Sequence, residues 1–201
     1  ADCIFDAVGG KNLGEIVPFL TKGIEKRSKV NPKPLNIITC ENWKLPANIL
    51  RDAILPTLDE SELAYFNENV GITEAVIMRS AIEAGADQLR EDPLVVNVQN
   101  FWELPVDSSR LKGNLPDIKG LKLIAEFTGF LERKFYTYNA ANGTTSFIGA
   151  LLGHEKIADA AHDERILKIL DGVYQETAQA LSKKHNFPLD EQLAFTLTSK
   201  R

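Results

Sequence analysis

The residues that could do chemistry are concentrated in a polar series on an otherwise apolar stretch: Glu132-Arg133-Lys134, then Asn139, then Asn142. At about 100° per residue, Asn139 lies about 140° and Asn142 about 80° around a helix from Lys134, so one broad face can present all three. A lysine and two amides on a helix with two apolar faces need partners or a polar cavity. A lysine desolvated in such a cavity gives up its proton more readily and can serve as a general base near neutral pH. A solvated stripe with salt-bridging ends is the alternative.

A second group lies where strands should end. Gly9-Gly10 follows a strand-like run, and glycines there either let the backbone approach a cofactor or simply make a strand-to-helix turn. No G-x-G-x-x-G or G-x-x-x-x-G-K-[ST] occurs in the chain, so no complete phosphate-binding loop is present. Cys40-Glu41-Asn42 closes the next strand-like run. Asn42 can donate to a ligand carbonyl or alkoxide without titrating, or can cap the following helix. Cys40 reads as a buried thiol rather than a nucleophile, since no histidine lies near it in sequence. His154, His162 and His185 lack a zinc-ligand spacing. His154 reads as packing or capping, the other two as exposed on helices, and no metal site is expected.

The elements that must position these groups fall into two regions. The first, residues 1–118, alternates strand and helix. Cys3–Val8 reads as a strand, and 11–29 as a helix with Leu13, Ile16, Val17, Leu20 and Ile24 on one face. Leu35–Cys40 is apolar enough for a strand buried on both sides. Strand, helix, strand within about 40 residues is a βαβ unit, which implies a parallel sheet with ligands beyond the carboxyl ends of its strands. Val70–Met78 and Leu94–Val98 read as further strands. The second region, 119–201, reads helical: a helix from Leu121 beyond Tyr138 with two apolar faces and a kink at Gly143, another over 163–185, and a last one opened by Pro188 and ending at Arg201. The fold class is therefore α/β, part of a Rossmann-type parallel sheet followed by a mostly α-helical domain.

Composition bounds the function classes. The 201 residues are 44% hydrophobic and carry a net charge of −5, which gives no basic footprint for nucleic acid or acidic lipid. No apolar run approaches the roughly 18 residues of a membrane helix. Two cysteines make neither a disulfide scaffold nor a zinc ribbon, so a reducing cytoplasm is the simplest compartment.

Taken together, Leu35–Asn42, Glu132-Arg133-Lys134 with Asn139 five residues on, and Gly153-His154 resemble the polyol-specific long-chain dehydrogenases. Asp6–Gly10, Asp92-Pro93-Leu94 and Lys112–Pro116 support this in the same order along the chain. The resemblance implies NAD as cofactor, a sugar alcohol or sugar phosphate as substrate, no metal, and a site between a Rossmann domain and a helical domain. Lys134 would take the hydroxyl proton, Asn139 and Asn42 would hold the developing oxyanion, and Gly9, Gly10 and Glu41 would line the cofactor side. Asn142 stands where the family has histidine, so it can hold a hydroxyl but cannot shuttle a proton. The resemblance further implies that roughly 75–90 residues with the glycine fingerprint precede Ala1. A helical portion with the basic residues for a phosphate would follow Arg201, leaving these 201 residues inactive alone.

Overall fold

Strand Cys3–Asp6 (β1) passes through a 3-10 turn into helix Leu13–Val30 (α1), and strand Leu35–Thr39 (β2) returns parallel to β1, with Cys3 opposite Asn36 and Asp6 opposite Thr39. The computed structural model describes residues 1–198. Helix α1 buries Leu13, Val17 and Ile24, the face its spacing predicts. Helices Pro46–Ile54 (α2) and Glu60–Asn69 (α3) lead to strand Val70–Glu74 (β3), parallel to β2. Asp59 starts α3 with a reciprocal cap: its carboxylate accepts from Glu62 N–H at 2.8 Å, and Glu62 accepts from Asp59 N–H at 3.0 Å. The sheet order is β1-β2-β3, and all five residues of the central β2 are buried. Ile24, Ile37, Leu50, Ile54 and Phe66, fully enclosed, form the core between this sheet and the helices.

The later strands depart from the sequence reading. The run expected to continue to Met78 stops at Glu74, and beyond it only Ala75 bridges Val106, antiparallel. The run expected at Leu94–Val98 shrinks to Asn97–Val98 (β5), paired with Ala81–Ile82 (β4) around helix Ala86–Glu91 (α4). Pro93 has no N–H to donate, and Asp92 turns the chain by accepting from Leu94 N–H at 2.9 Å. Strand Leu104–Asp107 (β6) pairs parallel with Leu121–Ile124 (β7). Leu121 therefore belongs to a strand and not to a helix. The left-handed Gly120 (φ +89°) feeds it into the ladder, and pairing overrides the helical spacing of its apolar residues. The first compact unit is Ala1–Ala125, seven residues longer than the sequence division at 118, because it keeps β7.

The second unit is helical from Phe127: Phe127–Lys134 (α5), a π turn over Phe135–Asn139, then Ala140–Leu151 (α6), Ile157–Ala160 (α7), Glu164–His185 (α8) and Leu189–Thr198 (α9). The irregularity is the π turn, and Gly143 sits inside regular helix. The series of α5 and α6 buries Phe127 and Gly129 and then the stripe Thr137, Ala141, Thr145 and Gly149, rather than two apolar faces. Phe135, Tyr136 and Phe147 are exposed. Gly149 is needed because a Cβ there would lie 2.6 Å from Ala160 Cβ. The expected end of the last helix at Arg201 lies outside the described residues. Among the described residues no helix is long and apolar enough to cross a membrane.

Candidate active site

The carboxyl ends of β1 and β2 carry the first group of candidates. Gly9 has φ +88°, a left-handed conformation that other residues adopt at a cost, and its N–H donates to Glu41 Oε1 at 2.9 Å. Glu41, buried, thus ties the turn after β1 to the end of β2. The space that Gly10 leaves open is filled by Trp43: a Cβ on Gly10 would stand 2.2 Å from Trp43 Cγ. Gly9 makes the turn, and Gly10 admits an indole of the same chain.

Asn42 is exposed and does not cap α2, whose N-cap is the left-handed Leu45. That removes one of its two sequence roles. Cys40 is a partly buried thiol pushed up to about 12, by burial first and then by the charges of Asp6 and Glu41. It is no nucleophile at neutral pH.

Asp6 was not singled out from the sequence. It ends β1, is 6% exposed, and neither carboxyl oxygen has a hydrogen-bond partner. Burial, with the nearby Glu41 charge second, raises its pKa to about 7. An acid closing an apolar strand just before two glycines was the signal available for it.

The second unit carries the lysine series. Lys134 is half-buried, 5.8 Å from the centroid of the Phe135 ring, and burial holds its pKa below the usual lysine value. Between it and Asn139 the backbone is π-helical, with Ala140 N–H donating to Phe135 O. A π turn of about 4.4 residues swings Asn139 to about 50° from Lys134, and Asn142 then falls almost in line with the lysine. The arc is far narrower than a regular helix allows. Asn139 and Asn142 are exposed. Asn142 also borders a cavity of about 410 Å³ with Thr145, Asp171 and Tyr174. Buried Thr137, at the middle of the turn, accepts from the enclosed Gln192 at 3.5 Å.

The histidines are structural. His154 pairs with Asp163 at 2.9 Å, and Asp163 caps α8. His162 contacts Ala158 O. His185 is not exposed as the sequence suggested: it meets Glu132 at 2.7 Å and stacks on Phe187. Glu132, held below the usual carboxylate range by Lys184 and His185, joins α5 to α8.

Comparison with known proteins agrees with this architecture. A D-sorbitol dehydrogenase in substrate-free form superimposes with a TM-score of 0.73 at 16% identity, over 86% of this chain and 44% of that one. The mannitol 2-dehydrogenase of Pseudomonas fluorescens, solved with NAD and D-mannitol, matches with a TM-score of 0.65 at 13% identity, over 99% of this chain and 49% of that one. The chain thus spans less than half the length of either structure. Residues 1–120 match the mannitol dehydrogenase Rossmann domain, and the chain belongs to that family.

Proposed function

We propose that this chain is part of an NAD-dependent oxidoreductase that interconverts a polyol and a ketose, and that its substrate pair is D-mannitol 1-phosphate and D-fructose 6-phosphate, the reaction of a mannitol-1-phosphate 5-dehydrogenase. The observation that carries the reading is the half-buried Lys134 brought onto one face with Asn139 and Asn142 by the π turn. Lys134 Nζ, deprotonated, accepts the substrate hydroxyl proton. Asn139 is the amide donor to the oxygen on which negative charge grows. Asn142 hydrogen-bonds a neighbouring hydroxyl and moves no proton.

NAD, when bound, supplies the hydride acceptor. The turn after β1 fits its approach only in part. Gly9 and Glu41 shape that end of the sheet and Asp6 brings two unpartnered carboxyl oxygens, whereas Gly10 is closed off by Trp43. Gly9, Gly10 and Glu41 are the residues assigned to the cofactor side.

An unphosphorylated polyol is the second reading, supported by the two structural neighbours, which are named for sorbitol and mannitol. The test is NADH oxidation by the longest natural chain containing these residues, with fructose 6-phosphate, fructose and a keto-hexuronate in parallel, paired with Lys134→Met. Turnover with fructose 6-phosphate alone supports the first reading, and turnover with fructose the second. Turnover that Lys134→Met leaves intact removes the assigned base.

A further inference from the structure

Beside β3, away from the residues assigned above, lies a cleft of about 530 Å³ walled by Asn48, Arg51, Asn67, Ser109, Arg110 and Lys112. Its basic wall is built with unusual care. Asn36, 1% exposed in the middle of an apolar sheet, donates to Lys112 O at 2.9 Å and accepts from Lys112 N–H at 2.8 Å. Gly71 lets that loop lie flat on β3: a Cβ there would be 2.6 Å from Arg110 O. Asp107 closes the loop by accepting from Ser109 N–H at 2.9 Å. A buried amide, a glycine and a carboxylate are all committed to fixing residues 109–112.

The cations themselves are held by neutral partners. Arg110 donates to the amide oxygen of Asn48, and Arg51 lies over the Phe66 ring, 5.4 Å from its centroid. Among the described residues neither Arg51, Arg110 nor Lys112 has a carboxylate within salt-bridge distance. Asp52 is the acid on the wall, with Glu74 acting on Arg110 from further off and itself shifted toward its neutral form by burial. In a chain of net charge −5, a fixed basic cleft concentrates anions.

We propose that this cleft is a binding site for a small phosphate monoester. Two guanidiniums offer planar forks that match phosphate oxygens, Lys112 adds a third charge, and Asn48, Asn67 and Ser109 suit the hydroxyls of a short polyol ester. The site is independent of the dehydrogenase reading, since none of its residues belongs to the lysine series or to the turn after β1.

Calorimetric titration of the 201-residue chain with glycerol 3-phosphate, and separately with inorganic phosphate, tests this. Saturable binding at one site is expected, with a Kd on the order of 1 mM or tighter for the ester. Arg110→Gln should weaken it at least about tenfold, and Asn48→Asp, which supplies Arg110 with a carboxylate while keeping every cation, should do the same. Glycerol as a control should give no heat of binding. Absence of saturation with glycerol 3-phosphate, or equal affinity in Asn48→Asp and the parent chain, overturns the proposal. Saturation by inorganic phosphate with no gain for the ester would reduce the site to a simple anion site and overturn the monoester assignment.

Discussion

Lys134 and Asn139 bracket a single π turn, the lysine as the last residue of regular helix before it and the asparagine as the turn's own last residue. One residue more than an α-turn needs is accommodated there, and that surplus brings a lysine and an amide five positions apart onto one face. If Lys134 is the base, Lys134→Met in the full-length enzyme should lower kcat by about 10²–10⁴ with little change in KM for the ketose. In the parent enzyme, polyol oxidation should rise with pH through a pKa below the usual lysine value, because burial disfavours the charged ammonium.

Deletion of Tyr136, an exposed residue within the turn, should convert it to regular helix. Lys134 and Asn139 would then be four positions apart, about 40° around a regular helix, so their alignment should be kept. Activity should be largely retained, with the far-ultraviolet circular dichroism of the helical unit unchanged. Activity lost as far as in Lys134→Met would mean that the angle around the helix is not what aligns the two groups.

Asn142→His should add a titratable group to the same face. A new ionisation near the ordinary histidine value of about 6.5 should enter the pH–rate profile. Turnover should rise if proton exchange with solvent limits the parent. An unchanged profile would show that position 142 does not reach the reacting hydroxyl.

Asp6 gives the first unit a pH dependence of its own. Its pKa is about 7 in the fold against 3.8 for the free group, so between those values the native state holds more protons than the unfolded chain. Stability should therefore fall as pH rises from about 4 to about 7, by something on the order of 2–4 kcal/mol from this group. Denaturant unfolding of Asp6→Asn should be flatter over the same range and stronger at pH 8.

Gly10→Ala should cost about 1–3 kcal/mol, because the new methyl meets the Trp43 ring. The double variant with Trp43→Ala should recover part of that loss. A Gly10→Ala protein as stable as the parent would show that the indole moves aside freely.

Much of this was legible in the residues. The βαβ unit followed from α1's spacing and from the uniform burial that β2's apolar run implied, and the shared face of Lys134, Asn139 and Asn142 was an expectation of their spacing, drawn too wide for want of the π turn. The strand at Leu121–Ile124 was not legible, because its apolar residues also fit helical spacing and only the partner Leu104–Asp107 decides between them. The π turn leaves no periodic signature, since Phe135–Asn139 is as apolar as its surroundings. Asp6 was passed over because its burial and the approach of Glu41 at the end of β2 are set by the fold, and the acid before two glycines is a weak local sign of either. Asn36 was hidden in the same way: within a strand read as apolar, its partner is 76 positions away.

That separation sets an order of events. The double hydrogen bond between Asn36 and Lys112 cannot close until β2 is paired and the chain has looped back across 76 residues, a contact of high sequence distance and so of slow formation. The amide proton of Lys112 is therefore a built-in clock. In pulsed hydrogen exchange it should gain protection after the amides of β1 and β2, and the loop it anchors should be the last part of the first unit to mature.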